Sequence, residues 1–87
     1  MAEVTVTLPE GVGLHARPAA MFVQAATAAP MPVTVGRPGD APVDAKSILS
    51  VMGMGVKAGE VIVVTAEGDG AEDVLAGLKT LLETPEA

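Results

Sequence analysis

Seven short segments with strand or helix patterning follow one another along the 87 residues, and their order limits the possible folds. Residues 3–8 alternate apolar and polar side chains, which predicts a strand with one buried face. Residues 60–66 include four consecutive aliphatic side chains and predict another strand. Residues 71–83 carry leucines at helical spacing, and Asp69 and Glu72 have the spacing of a capping box just before them. The chain therefore combines strands with at least one amphipathic helix.

The other segments complete the predicted order strand, helix, strand, strand, helix, strand, helix. Two further helices are predicted, one over residues 16–28 and one within residues 46–54, and two further strands are predicted over residues 32–35 and 41–44. Mixed elements joined by short links favour helices packed on one face of an antiparallel sheet. We therefore predict one α+β domain over residues 1–87.

Phe22 is the only aromatic residue, so the core has to be aliphatic. The chain has no cysteine, which excludes disulfides and thiolate metal sites. The formal net charge is −6, and an acidic chain with one aromatic ring lacks the basic, ring-bearing face that suits nucleic acids. We therefore expect no nucleic-acid partner, and no residue pattern indicates a metal ion or an organic cofactor.

The sequence carries no sign of a membrane or of secretion. Residues 1–10 lack the basic and apolar regions of a secretory leader. No apolar run approaches the roughly 20 residues of a membrane-spanning helix. We therefore expect a cytoplasmic protein without a membrane partner, and we expect it to be a monomer.

His15 is the only histidine, and it lies where the first predicted helix begins. Its unperturbed pKa of about 6.5 makes it the one side chain that changes charge near neutral pH. The free N–H groups at a helix start favour bound anions, and the guanidinium of Arg17 suits phosphate oxygens. An imidazole that attacks phosphorus well, next to these two features, predicts a site for a phosphoryl group.

Each of these residues also has a simpler interpretation. His15 could be a surface or capping histidine, and Arg17 a solvated residue at a helix start. A cation at that end of a helix is electrostatically unfavourable, and a bound anion would account for it. Gly13 would let the loop approach the helix end, and Pro18 would fix the backbone of the first turn. A second function stays open, that of a small module that binds an anion at this loop without covalent chemistry.

The predicted helix within residues 46–54 has more apolar side chains than so short a helix can bury. Ser47 is well suited to be its N-cap, and a phosphorylation site is the functional alternative. We predict that Val51 of this helix and Phe22 of the first helix lie in the core. Surplus apolar residues beside a polar site predict an exposed docking surface, and methionine suits a surface that accepts several partners. The predicted docking residues are Met21, Ile48, Leu49 and Met52.

Two stretches resemble the signatures of one known family. Residues 13–20, GLHARPAA, are similar to the active-site signature of HPr, the histidine-containing phosphocarrier of the sugar phosphotransferase system. Residues 44–55, DAKSILSVMGMG, resemble the regulatory-serine signature of that family. Length and element order agree over nearly the whole chain. The resemblance implies an open-faced β-sandwich, in which three helices cover one face of a four-stranded antiparallel sheet.

The resemblance also implies a carrier rather than an independent enzyme. His15 would take a phosphoryl group from phospho-enzyme I, which obtains it from phosphoenolpyruvate, and would carry it on Nδ1. It would then donate the group to a sugar-specific IIA protein or domain. Ser47 matches the regulatory serine, which an HPr kinase/phosphorylase would modify where the source cell has one.

The chain also departs from the family pattern. Family members often carry lysines on the surface where this chain has Gln24, Thr27 and Ser50. We therefore expect its partner contacts to be more apolar. A paralogous carrier in a nitrogen-related or dihydroxyacetone-kinase phosphotransfer chain fits the same residues and is the alternative within the family.

Overall fold

A computed structural model of the chain describes residues 2–8, 16–57 and 59–83, with the side chains of residues 16–18 outside the description. Within these ranges, four strands and three helices follow the predicted order. The strands are β1 (Ala2–Thr7), β2 (Val33–Gly36), β3 (Val43–Asp44) and β4 (Val61–Ala66). The helices are α1 (Ala16–Thr27), α2 (Ile48–Gly53) and α3 (Ala71–Glu83).

The four described strands form one antiparallel sheet in the order β1-β4-β2-β3. β4 lies inside the sheet, where Ile62 pairs with Val6 of β1 and Val64 pairs with Val35 of β2. The aliphatic run that predicts a buried strand therefore belongs to a strand that is paired along both edges.

One face of the sheet is buried and the other is open. Along β4, Ile62 and Val64 are 0% exposed, whereas Val61 is 36% exposed. Val6 of β1 is fully buried, while its neighbour Thr5 is exposed. Because side chains alternate along a strand, this pattern directs one set of aliphatic residues toward the helices. The predicted open-faced sandwich is confirmed.

The described helices contribute their apolar sides to the core. Phe22 of α1 and Val51 of α2 are both 0% exposed, as the sequence predicts. α3 buries Leu75, Leu78 and Leu82 at helical spacing. Burying one large apolar side chain contributes about 1.5–3 kcal/mol. The core thus consists of aliphatic side chains around one aromatic ring.

β3 is shorter than the sequence suggests, because it covers two residues rather than 41–44. Pro42 lacks the N–H that a strand ladder needs, and pairing with β2 reaches only Val43, opposite Val35. Gly36 also lies close to this proline, since a Cβ on Gly36 would be 3.1 Å from the Pro42 Cα. The prediction of a four-residue strand was wrong because a proline interrupts it.

α3 begins at Ala71, and its N-cap is Gly70 rather than Asp69. The Gly70 carbonyl accepts the N–H of Val74 at 3.1 Å, which is the first hydrogen bond of the helix. Gly70 has a φ of +82°, which glycine adopts without strain. The predicted capping box between Asp69 and Glu72 is therefore one residue out of register with the helix.

Candidate functional site

α1 begins directly after His15 in the sequence, as predicted. Its first residue is Ala16 and its second is Arg17. The N–H groups in the first turn of an α-helix have no acceptor within the helix, and α1 has no acidic residue in that turn. His15 itself and the side chain of Arg17 lie outside the described residues, so their roles stay predictions.

α1 has a buried side and an exposed side. Ala19, Phe22 and Ala26 are 0% exposed and belong to the core. Met21 is 43% exposed, although methionine is among the residues most often buried. Because a helix has about 3.6 residues per turn, Met21 lies one turn beyond position 17. An exposed apolar side chain therefore lies in the second turn of α1.

Ser47 caps α2, as the sequence predicts. It has extended backbone angles, with φ −108° and ψ 112°, and its Oγ accepts the N–H of Ser50 at 3.3 Å. The Ser47 carbonyl accepts the N–H of Val51 at 3.0 Å. A side-chain cap of this kind stabilises a helix by about 1 kcal/mol. Unmodified Ser47 therefore has a structural role as the cap of α2.

α2 exposes most of its apolar side chains. Leu49 is 83% exposed, Met52 is 43% exposed and Ile48 is 36% exposed, whereas Val51 is buried. α1 and α2 contact each other, so these exposed side chains and Met21 belong to one pair of packed helices. We call Met21, Ile48, Leu49 and Met52 the helix-pair patch. Exposed apolar groups of this kind are typical of binding surfaces, and docking on the patch stays a prediction.

The start of α2 is held to the chain that follows α1. Lys46 Nζ donates to the carbonyl oxygen of Ala29 at 2.9 Å. A cation near the end of a helix also suits the negative end of the helix dipole. The backbone N–H of Lys46 donates to Asp44 Oδ1 at 2.9 Å. Together these bonds position the residue that immediately precedes the Ser47 cap.

The end of α2 is held by Arg37, which follows β2. Arg37 Nη1 donates at 2.9 Å to the carbonyl oxygen of Met54, the C-cap residue of α2. Arg37 Nε and Nη2 donate to the two carboxylate oxygens of Glu60, at 2.8 and 3.1 Å. Glu60 Oε2 also accepts the N–H of Lys57 at 2.6 Å. We call these four residues the Arg37 clamp, and it joins β2, the end of α2 and the loop before β4.

The sequence pattern contains no sign of the Arg37 clamp. Arg37 is followed by proline and glycine, which indicate a turn, and its carboxylate partner lies 23 residues further along the chain. The strand order explains this ion pair. Arg37 follows β2, Glu60 immediately precedes β4, and β2 pairs with β4. The pairing of β2 with β4 therefore brings Arg37 and Glu60 together.

The Arg37 clamp makes a pH-dependent contribution to the free energy of unfolding. The hydrogen bonds from Arg37, and after them the Lys57 N–H, hold the pKa of the Glu60 carboxyl at about 2, below its ordinary value of 4.5. A carboxyl whose pKa is lower in the folded state stabilises the fold above its unfolded pKa. This contribution is therefore complete above pH 4.5 and is lost as the pH falls from 4.5 toward 2.

A Glu60→Gln variant measures that contribution, since glutamine keeps the shape and removes the charge. We expect the variant to be less stable than the wild type at neutral pH, and we expect the difference to shrink below pH 4.5. Both side chains of the ion pair are 33% exposed, so solvent screening keeps the effect modest. Denaturant unfolding of both proteins from neutral pH to about pH 2 follows the difference. A difference that is the same at every pH would rule out the assignment to Glu60.

Residues 2–8, 16–57 and 59–83 contain neither a metal-binding cluster nor a membrane-spanning helix. No group of three or more histidine, cysteine, aspartate or glutamate side chains there could hold a metal ion. In the same ranges, no helix combines the length and the hydropathy that a bilayer crossing requires.

Nearly the whole chain matches the model of one known family. A family model described as "PTS HPr component phosphorylation site" matches residues 2–84. That range includes His15, Arg17 and Ser47. The chain belongs to the HPr family. HPr proteins are phosphocarriers of the phosphotransferase system, and membership gives this chain the same general function.

Curated HPr relatives and a solved HPr structure agree with the family match. The phosphocarrier protein HPr of Streptomyces coelicolor is 46% identical over 82 residues, which cover 94% of this chain and 88% of the relative. The HPr of Haloferax volcanii is 46% identical over 86 residues, which cover 98% of this chain and 97% of the relative. The crystal structure of HPr-C-His from Thermoanaerobacter tengcongensis superposes with a TM-score of 0.87 at 41% identity, covering 94% of this chain and 91% of that chain. The fold expected from the HPr resemblance is confirmed.

Proposed function

We propose that this HPr-family chain accepts a phosphoryl group on His15 from phospho-enzyme I and passes it to a IIA component of the phosphotransferase system. The observation that carries the proposal is the family match, which is described as a phosphorylation site and spans residues 2–84. His15 is the only histidine in the chain, so a histidine carrier has one candidate residue. We further propose that the carrier works as a monomer in the cytoplasm.

The proposed transfer begins with a neutral imidazole, which has one ring nitrogen with a free electron pair. That nitrogen attacks the phosphorus of phospho-enzyme I. The bond between phosphorus and enzyme I breaks, and its electron pair stays with enzyme I. The phosphoryl group is then held through a P–N bond at His15, on Nδ1 by analogy with the family. In the second transfer the His15 nitrogen is the leaving group, and IIA receives the phosphoryl group.

Two features of α1 supply the positioning and charge stabilisation on which phosphoryl transfer mainly depends. The free N–H groups of the first turn lie at the helix end that follows His15 in the sequence. Pro18 has no N–H and contributes no donor there. Arg17 adds a guanidinium, whose paired N–H groups suit phosphate oxygens. We assign to these groups the task of holding the phosphoryl oxygens during both transfers.

The same histidine has to meet two kinds of partner, so enzyme I and IIA must approach the same side of the molecule. The helix-pair patch is the candidate surface, because Met21 lies one helical turn beyond Arg17 on α1 and α2 packs against α1. Leu49, at 83% exposure, offers a side chain that a partner can bury almost completely. Methionine side chains adapt to differently shaped partners. We therefore assign the docking of enzyme I and of IIA, in turn, to this patch.

Ser47 is the position at which modification is proposed to inhibit docking. A phosphate adds roughly −1.5 to −2 charges at neutral pH, and Ser47 immediately precedes Ile48 and Leu49 of the helix-pair patch. A partner surface built for apolar side chains would have to desolvate that charge without a dedicated counter-charge. We expect Ser47→Asp to raise the carrier concentration that enzyme I needs for half-maximal phosphorylation by about tenfold.

Ser47→Asn is the matched control for that substitution. Asparagine and aspartate are similar in shape, and both are good N-caps, so the two variants differ mainly in charge. Initial phosphorylation rates at several carrier concentrations compare them with the wild type. We expect Ser47→Asn to behave like the wild type. If both variants show the same rates, charge at this position does not control docking, and Ser47 is only a helix cap.

A relay assay tests the proposed function as a whole. Phosphoenolpyruvate with a labelled phosphoryl group is incubated with enzyme I, this chain and a IIA protein. We expect label on IIA only when all of these components are present. Reversible binding of inorganic phosphate, with no covalent label on the chain, would instead support an anion-binding module and defeat the carrier proposal.

A further inference from the structure

Methionine is the only sulfur-containing residue of the chain, which has five methionines and no cysteine. Met21 and Met52 are each 43% exposed, whereas Met31 is 6% exposed. Susceptibility of sulfur side chains to oxidation follows their exposure to the oxidant. Met21 and Met52 both belong to the helix-pair patch, whereas Met31 belongs to the buried core. Oxidation is therefore directed to the surface on which docking is proposed.

We infer that Met21 and Met52 are modification sites at which hydrogen peroxide reversibly disables the carrier. The inference rests on the docking function proposed for the helix-pair patch. Each thioether sulfur attacks one oxygen of the peroxide, the O–O bond breaks, and the products are methionine sulfoxide and water. The sulfur is oxidised by two electrons and the peroxide is reduced. Methionine sulfoxide reductases reverse the change, so the modification is a switch rather than permanent damage.

Oxidation changes the patch on both helices, because Met21 lies on α1 and Met52 lies on α2. A sulfoxide is polar and its oxygen accepts hydrogen bonds, whereas the thioether is mainly apolar. A partner surface shaped for apolar groups leaves that oxygen without a donor, and burying an unpaired polar group is costly. We expect about a tenfold loss of partner affinity when both sites are oxidised.

The fold itself is expected to survive the oxidation. The core contacts of α1 and α2 include Phe22 and Val51, which are both 0% exposed. The hydrogen bonds that hold the two ends of α2 come from Lys46, Ser47 and Arg37, and none of them uses a thioether. Loss of partner binding at an unchanged melting temperature would therefore distinguish the switch from general damage.

Tandem mass spectrometry of the full chain during hydrogen peroxide treatment tests the two sites. We expect sulfoxide to form several-fold faster at Met21 and Met52 than at Met31. The chain unfolded in guanidinium chloride is the control, in which the three rates should converge. Equal rates in the folded chain would overturn the inference, whatever the function of the protein.

Phosphorylation by enzyme I tests the consequence of the modification. We expect peroxide treatment to raise the carrier concentration for half-maximal rate by about tenfold, at an unchanged melting temperature, and reductase treatment to restore it. The double variant Met21→Leu, Met52→Leu should be phosphorylated at the same rate before and after peroxide treatment, each rate being compared with the variant's own untreated rate. The control Met31→Leu should remain as sensitive to peroxide as the wild type.

The outcomes separate this inference from the proposed function. Selective oxidation that leaves the rate unchanged overturns the inference, while the untreated chain still demonstrates the carrier function. A melting temperature that falls together with the rate also overturns it. If the untreated chain accepts no phosphoryl group, the proposed function fails and the inference fails with it.

Discussion

Replacement of His15 by alanine is expected to abolish phosphorylation of the chain by enzyme I and phosphoenolpyruvate. Alanine has no nitrogen that could form a P–N bond, and the chain contains no second histidine. The fold should remain, because the described core is built from aliphatic residues and Phe22. None of these described core residues is changed in the variant, so we expect a melting temperature within about 4 °C of the wild type.

The measurement is the incorporation of label from phosphoenolpyruvate into the purified variant. Glu72→Gln is a suitable control, because Glu72 is exposed in the first turn of α3 and has no proposed role. We expect the control to be labelled at the wild-type rate. Stable labelling of the His15→Ala chain would show that another residue is the acceptor.

Arg17→Lys is expected to slow phosphoryl transfer while leaving stability almost unchanged. Lysine keeps the positive charge but loses the planar pair of N–H donors that matches phosphate oxygens. A hydrogen bond to a charged group contributes about 1.5–3 kcal/mol, which corresponds to a rate about 10- to 100-fold lower. Rapid-mixing measurement of His15 phosphorylation, at saturating carrier, reports this effect separately from docking.

Arg37→Lys is the matched comparison, because it makes the same substitution at an arginine with a structural role. Arg37 bonds to Glu60 through two nitrogens and to the Met54 carbonyl through a third. We expect this variant to lose stability, whereas Arg17→Lys should lose transfer rate at constant stability. Equal transfer rates for Arg17→Lys and the wild type would remove Arg17 from the proposed site.

The elements that could be predicted well are those with a strong and uninterrupted pattern. The helix predicted over residues 71–83 has those bounds in the structure, because its leucines repeat at helical spacing. β4 was predicted one residue too long, and its aliphatic run marks an interior strand. β3 was predicted too long, because an apolar and polar pattern does not reveal that Pro42 interrupts the ladder.

The contacts that position α2 could not be predicted, because they join residues far apart in the sequence. The Arg37 clamp and the bond from Lys46 to Ala29 depend on which strands and helices become neighbours. By contrast, the Ser47 cap could be predicted because capping is a local property of one residue and the three that follow it.

The exposure of apolar side chains on α2 could be predicted from the number of apolar residues in so short a helix. A six-residue helix with four apolar side chains cannot turn them all to a small core, and only Val51 of α2 is buried. Exposure of Leu49 and Met52 is therefore an observation, while their docking role stays a proposal. The phosphoryl-transfer roles of His15 and Arg17 are likewise proposals, which labelling of His15→Ala and Arg17→Lys tests.

The position of the phosphoryl group tests the central proposal most directly. The chain is incubated with enzyme I and phosphoenolpyruvate, and its intact mass is measured before and after brief acid treatment. Fragmentation at neutral pH then locates the added group. We expect the mass of one phosphoryl group, attached at His15, present at neutral pH and lost in acid, because a P–N bond to imidazole is labile to acid. An acid-stable group on a serine or threonine, or no covalent group at all, would contradict the proposal that His15 carries the phosphoryl group.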